Sequence, residues 1–187
     1  MSKSKNMNPS EQRAPFDVLR ELESVCQQRA AGLPQQRAIT KPWTGIAFRI
    51  GDVNLVAAVD DVREILYYPR LAVVPGAKGW VRGVANIRGT LMPIIDLKHY
   101  LGQTPVDINS RSRVLIIHYD ELWAGLLVDD VAGLKHFQQD SSRAVAAELQ
   151  SALKSYLTGA YQHQNTDWYV FSFKDLAENP EFVRIAA

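Results

Sequence analysis

The sequence predicts a mainly β protein built of small barrels, and three observations carry that prediction. Short apolar runs recur at even spacing between residues 43 and 173, separated by Gly, Pro and Asp turns, which is the pattern of barrel strands. Two of them, RVLIIHY at 113–119 and LWAGLLVDDVAGL at 122–134, flank a turn at Asp120-Glu121 and read as a hairpin. A third unit, GVANIRGTLMPIIDL at 83–97, places apolar runs on both sides of a single Arg-Gly turn.

The 83–97 unit is the most informative stretch of the chain. Gly89 supplies the positive φ that a tight turn needs, and Pro93 belongs at a strand edge or bulge, where a ladder donor is dispensable. Arg88 stands alone between Ile87 and the apolar run 91–95, where an unpaired guanidinium is costly to desolvate. It therefore wants a carboxylate or a ligand. Glu64 is the expected mate, because DVREIL at 61–66 sets one acid in an otherwise apolar strand. Breaking such a pair, if buried, costs roughly 3–5 kcal/mol.

The other elements follow in order. Residues 1–12 are polar and aperiodic, the composition of a disordered leader. From Pro15, the residues Phe16, Leu19, Leu22, Cys26 and Ala30 recur at helical spacing, and Gly32 with Pro34 supplies a stop, so a short amphipathic helix is expected. Residues 35–42 read as a linker. Residues 43–59 carry two strand-like runs around Gly51-Asp52, and 61–66 continues the sheet. Residues 67–80, with Pro69, Pro75, Gly76 and Gly79, form a surface connection. A helical turn is expected at 98–101 and a second connection at 102–109. The 122–134 run breaks at Asp129-Asp130, 144–153 looks helical, and 156–161 and 168–173 are strands around a polar turn at 164–167. A last helical piece holds Asp175-Leu176.

Composition excludes several functions. With 187 residues, 47% of them hydrophobic, the chain can bury one sizeable core or two small barrels sharing one. Its 21 Lys and Arg nearly balance 20 Asp and Glu, for a net charge of +1, so no field steers it toward nucleic acid or an anionic membrane. No apolar run approaches the ~20 residues of a membrane span, and 1–12 lacks an export signal. A cytoplasmic protein with no membrane insertion is expected. The single Cys26 cannot form an internal disulfide, and no Cys or His cluster has metal-ligand spacing, so neither metal nor cofactor is expected.

No catalytic motif is present either. There is no G-x-S-x-G, Walker loop or H-E-x-x-H, and PGAKGW at 75–80 lacks phosphate-cradling spacing. Adjacent strand residues Asp129 and Asp130 point to opposite faces, so they read as a turn or bulge rather than an acid/base pair. His99, His118, His136 and His163 share no motif and are expected to be structural. Trp43, Trp80, Trp123 and Trp168 could stack single-stranded nucleic acid, the alternative function for a small barrel protein. WYVFSF and LWAGLLV carry no interleaved basic residues, however, so core or protein interface is the better reading. An enzyme assembled from scattered acids and histidines is the other alternative, and no motif supports it.

Taken together, FRIGD at 48–52, VREIL at 62–66, VRGVANIRGTLMPIIDL at 81–97, AGLLVDDV at 124–131 and YLTG at 156–159 resemble the CheW family of chemotaxis coupling proteins. The resemblance spans about 43–176. The helical extension, GLP at 32–34 and the Trp43 start are most similar to the members that serve type IV pilus twitching motility. The resemblance implies two interlocked five-stranded SH3-like β-barrels with short peripheral helices. Residues 1–42 would form a leader, helix and linker, and 43–187 the CheW-like domain, with barrel 1 mainly about 46–101 and barrel 2 mainly about 112–173.

It also implies a non-catalytic adaptor recruited to membrane-associated receptor arrays. Its partners would be the cytoplasmic tip of a methyl-accepting receptor and a CheA-type histidine kinase, through that kinase's CheW-like regulatory domain. The receptor would lie in a groove near Val62, Arg88 and Gly89, with Glu64 bracing Arg88. A kinase contact is expected near Trp80, Val81, Arg82 and Gly83. Two features depart from the minimal pattern, the extra N-terminal helix and Asp60, which stands where an apolar or small residue is expected.

Overall fold

The computed structural model describes residues 15–29, 42–138, 142–145, 149 and 151–184. The chain divides into two units, 1–39 and 40–187. In the first, α1 (Pro15–Arg29) is a single helix whose Phe16, Leu19, Leu22 and Val25 are exposed. The expected leader 1–12, Ala30 and most of the linker 35–42 lie outside the described residues.

The second unit runs β1 (Trp43–Ile50), β2 (Val53–Ala58), a 3-10 turn (Val59–Asp61), β3 (Val62–Tyr67), β4 (Val81–Ile87), β5 (Thr90–Asp96), α2 (Leu97–Tyr100), β6 (Arg113–Tyr119), β7 (Leu122–Val128), β8 (Asp130–Phe137), β9 (Ser142–Arg143), α3 (Ser151–Lys154), β10 (Leu157–His163), β11 (Thr166–Phe171), α4 (Phe173–Glu178) and α5 (Pro180–Val183). It is mainly β, as the sequence predicts. One sheet has the order β3-β6-β7-β5-β4, the other β8-β1-β2-β11-β10-β9.

This pairing divides the strands differently from a barrel over 46–101 and another over 112–173. The early β1 and β2 join the late β8, β10 and β11, while β6 and β7 sit at the centre of the sheet that holds β3, β4 and β5. Parallel pairings make the exchange, β2 with β11 and β5 with β7. The 113–128 hairpin therefore completes the earlier sheet rather than opening a later one.

The apolar runs of β6 and β7 are buried on both faces. Val114, Ile116 and Leu127 pack with Ala85, Met92, Ile94 and Val106 on one side. Leu115, Ile117, Ala124, Leu126 and Val128 pack on the other, in a larger core shared with Ile46, Phe48, Ile50 and Leu55 of the second sheet. A third cluster, Phe137 and Trp168 with the partly buried Trp43 and Tyr161, covers the far side of the six-stranded sheet.

Asp96 ties the connections together. It is fully buried; Oδ1 accepts from His99 N at 3.0 Å and caps α2, while Oδ2 accepts from Val106 N at 2.9 Å and lies 3.7 Å from Arg82 Nε. At the C-terminus, Ser172 Oγ accepts from Asp175 N and starts α4, so the strand expected over 168–173 ends at Phe171. Asn179 caps α5 and donates from Nδ2 to the Tyr156 hydroxyl at 2.7 Å, which is in turn 2.8 Å from the Tyr100 hydroxyl. Over 144–153 the described helix is α3 alone; Ala144 and Val145 are irregular, and the rest of 146–150 save Leu149 lies outside the described residues.

Pro93 is not on an edge strand, since β5 lies between β4 and β7. The opposing Val84 bonds through both its backbone groups to Ala72 instead, so the Val84–Pro93 pair is not a hydrogen-bonded one. On the other side, pairing with β7 begins only at Ile94. The missing donor falls where no ladder bond is made.

Asp96→Ala would strand Arg82 and two buried N–H groups, so a loss of about 3 kcal/mol in unfolding free energy is expected by urea titration. A loss below about 1 kcal/mol would show that Asp96 does not organise the connections. Burial is the largest cause that holds the Tyr100 and Tyr119 phenols well above the ordinary tyrosine range, reinforced by Tyr156 at Tyr100 and by Asp61 at Tyr119. The folded state thus binds these protons more tightly than the unfolded chain. Their contribution is fully present below about pH 10 and is lost as pH rises beyond it. Stability should fall above about pH 10 and fall less in Tyr100→Phe; all seven tyrosines ionising near pH 10 in the folded state would contradict this.

Candidate functional site

The Arg-Gly turn sits at one end of the five-stranded sheet. The last residue of β4, Ile87, pairs with the first of β5, Thr90, leaving Arg88 and Gly89 as a two-residue turn with φ +52° and +87°. Positive φ at both positions is what a type I′ hairpin requires. Asn86 Oδ1 accepts from Gly89 N at 2.8 Å and fixes the turn. Glycine is at ease there and arginine is not, so Arg88 is held against its backbone preference.

Arg88 Nη2 donates to Glu64 Oε1 at 2.6 Å, the pairing expected from the lone charges. β3 and β4 are the two edges of this sheet. The ion pair therefore links one edge strand to the turn that ends the other. Its environment differs from the expectation of a buried pair. The Arg88 side chain is 79% exposed and that of Glu64 28%. Apolar neighbours in sequence gave the impression of burial, but a two-residue turn projects beyond the sheet and its side chain reaches solvent.

Val62 is half-buried two residues from Glu64 and packs on the larger core. A bulge at Arg63 separates them: Val62 pairs with Ile117 and Glu64 with Ile116. Val62, Glu64, Arg88 and Gly89 thus belong to one end of one sheet.

Residues 80–82 are half-buried and Gly83 is buried. Trp80 stacks on Phe182 at 6.3 Å and meets Tyr100 edge-on at 5.2 Å. Arg82 Nη2 donates to Val106 O at 3.3 Å and its Nε faces Asp96. Gly83 is buried beneath Ala72 O, 2.5 Å from where a Cβ would lie. The exposed side chains beside them, missed in the sequence, are Val73 (83% exposed) and Val74. The signal was present, as two apolar residues inside a Pro- and Gly-rich connection.

Other candidates resolve into structure. Asp129 Oδ2 accepts from Gly51 N at 2.7 Å and Oδ1 lies 3.7 Å from Lys98 Nζ, while Asp130 begins β8, so the pair forms the expected break. Trp43 and Trp168 belong to the third cluster, Trp80 is covered, and Trp123 stacks on His118 at 4.1 Å. Among the described residues, no group of three or more His, Cys, Asp or Glu converges as metal ligands, and no helix is long and apolar enough to cross a membrane.

The family model for the CheW-like domain matches residues 44–181. The chain belongs to the CheW family. It is 38% identical over 177 residues to Protein PilI of Pseudomonas aeruginosa, covering 95% of this chain and 99% of that one. It is 37% identical over 89 residues to a probable chemotaxis protein CheW of Rhizobium etli, covering 48% of this chain and 57% of that one. Among solved structures, the scaffolding protein TtCheW of Thermoanaerobacter tengcongensis superposes with a TM-score of 0.65 at 21% identity, over 74% of this chain and 94% of the other. The two sheets with few short helices are thus the CheW-like fold, and the PilI likeness reaches into the helical extension that the family domain omits.

As a surface pair, Glu64–Arg88 is worth at most about 1 kcal/mol. Arg88→Ala should change the unfolding free energy by less than that. Arg88→Gly should melt at or above the parent temperature, because it relieves the positive φ. Losses of 3 kcal/mol or more in both would restore the buried-pair reading.

Proposed function

We propose that this CheW-family chain is a non-catalytic cytoplasmic adaptor. It couples the cytoplasmic tip of a methyl-accepting receptor to a CheA-type histidine kinase, in an array that controls type IV pilus twitching motility. The single observation that carries the reading is the 38% identity to PilI along 95% of this chain, helical extension included. The family membership supports the general coupling role.

The receptor-facing surface is the sheet end that carries Val62, Arg88 and Gly89, with Glu64 bracing the guanidinium. A helical tip needs an apolar anchor and one or two fixed polar groups, and this end offers both. The kinase's CheW-like regulatory domain contacts the connection near Trp80, Val81, Arg82 and Gly83. Because Trp80 and Arg82 are half-buried and engaged within the fold and Gly83 is buried, their part is to hold the backbone. Val73 and Val74 supply the contacting apolar surface, pinned by the bridge between Ala72 and Val84.

The test is an affinity pull-down of the tagged full chain from its own cells, read by mass spectrometry, with variants alongside. A methyl-accepting receptor and a CheA-type kinase are the expected partners, and recovery of neither rejects the function. Val62→Glu should weaken receptor binding by more than ~2 kcal/mol in protein still folded at the assay temperature, although its packing on the larger core means that melting falls as well, whereas Val73→Glu, at an exposed position, should weaken the kinase and spare the receptor. Unchanged receptor affinity in Val62→Glu and Arg88→Ala would reject the placement.

A further inference from the structure

Where β8 ends beside the β10–β11 turn, His136, Gln138, Gln162, His163 and Gln164 line a cavity of about 210 Å³. It lies on the six-stranded sheet, whereas Val62 and Arg88 lie on the other. Every lining side chain is an imidazole or a carboxamide. The His163 ring is held from the protein side: it meets buried Phe137 edge-on at 5.8 Å, and Phe137 stacks on Tyr161 at 5.1 Å.

Two of these groups have one end fixed from within the protein. Arg143 Nη2 donates to Gln162 Oε1 at 2.6 Å, so the carboxamide has its NH2 donors to offer. Thr44 Oγ1 lies 2.7 Å from His136 Nδ1, which leaves Nε2 as the other ring nitrogen. With Thr44 donating, or with the ring protonated, Nε2 carries a hydrogen.

The backbone adds an independent sign. Gln164 and Asn165 form the turn between His163 and Thr166 with φ +49° and +64°. Asparagine is common in that conformation and glutamine is not. A side chain that lines the cavity is thus kept where glycine or asparagine would be less strained.

The hydrogen-bond donors, rather than net formal charge, favour an oxygen acceptor as the occupant. Arg143 on β9 donates to Gln162 and Asp167 on β11 is paired with it, so these two charges offset one another, while Lys135 on β8 is turned to Trp168, its Nζ 4.9 Å from the ring centroid. The Gln162 NH2 and the His136 Nε2 hydrogen remain as donors for an oxygen group. The volume is below the ~300 Å³ at which drug-sized pockets begin, so the occupant is a small group. We propose that this cavity binds a small anionic oxygen group, a carboxylate or a phosphate, through His136, His163 and the Gln162 carboxamide. The assignment stands apart from the coupling role.

The test uses the full chain with 15N-labelled imidazoles at about pH 6.5, where histidine is near half-protonation. Inorganic phosphate and, separately, acetate are titrated at constant ionic strength. Of the four histidines, His99 on α2 and His118 on β6 are internal references. Saturable shifts at His136 and His163 with His99 and His118 unmoved support the site, and the stronger of the two ligands assigns the group. Gln162→Glu, checked for an unchanged melt, should weaken that binding at least tenfold, and Gln164→Gly should weaken it without lowering thermal stability. Four rings that move together, shifts that do not saturate with either anion, or unchanged affinity in Gln162→Glu would overturn the proposal.

Discussion

The β6–β7 hairpin is apolar on both faces, and both sheets depend on that. In a half-buried strand the register is set by which face meets water, because a slip of one residue exposes the apolar set. Here both faces are buried, so that signal is absent and volume has to do the selecting. At Gly125 a Cβ would stand 2.5 Å from Ile94 Cδ1 and 2.8 Å from Val114 Cγ1. Only glycine fits between them, and it can fit in one alignment. The short turn at Asp120, with φ +49°, fixes the same alignment from the other end. Two cores are thus locked by one hairpin, and damage in either is felt by the other.

Asp96 has the corresponding role for the connections. A carboxylate with no exposure is tolerated because two backbone N–H groups and a guanidinium meet it. The effect is to draw three separate segments, the Trp80–Arg82 stretch, α2 and the Val106 loop, to one point. The backbone from Trp80 onward is thereby tied at several points although it follows a long irregular connection, and Ala72, beside the exposed valines, is tied to Val84 by two backbone hydrogen bonds.

What the sequence made legible was local. Alternation, turn residues and the lone charges located most strands, the β4–β5 turn and the Glu64–Arg88 pair. Strand allocation between sheets was not legible, since β2 with β11 and β5 with β7 pair in parallel across long stretches of chain, and periodicity carries no information about a distant partner. Of the helix expected over 144–153, residues 151–153 are helical, Ala144 and Val145 are irregular, and most of the remainder lies outside the described residues. Exposure at Arg88 was misjudged because its apolar neighbours belong to strands while it belongs to the turn beyond them. The polar cavity at His136 and His163 was invisible, as its residues share no motif and meet only through tertiary folding.

These features bear on how such a protein can couple others. Under the proposed coupling role, the contacts would be small and would have to form and part readily. The two-core frame would then fix where the proposed contacting groups stand, while the groups themselves are held weakly. Arg88 illustrates both halves: its backbone is fixed at positive φ by the hairpin, yet its side chain is largely exposed and its bond to Glu64 is a surface pair. Exchanging Glu64 for an incoming acceptor at such a site costs at most about 1 kcal/mol, whereas dislodging a buried pair would cost several. The stability of the fold is thus kept separate from the strength of the contacts, and either can change in sequence without the other.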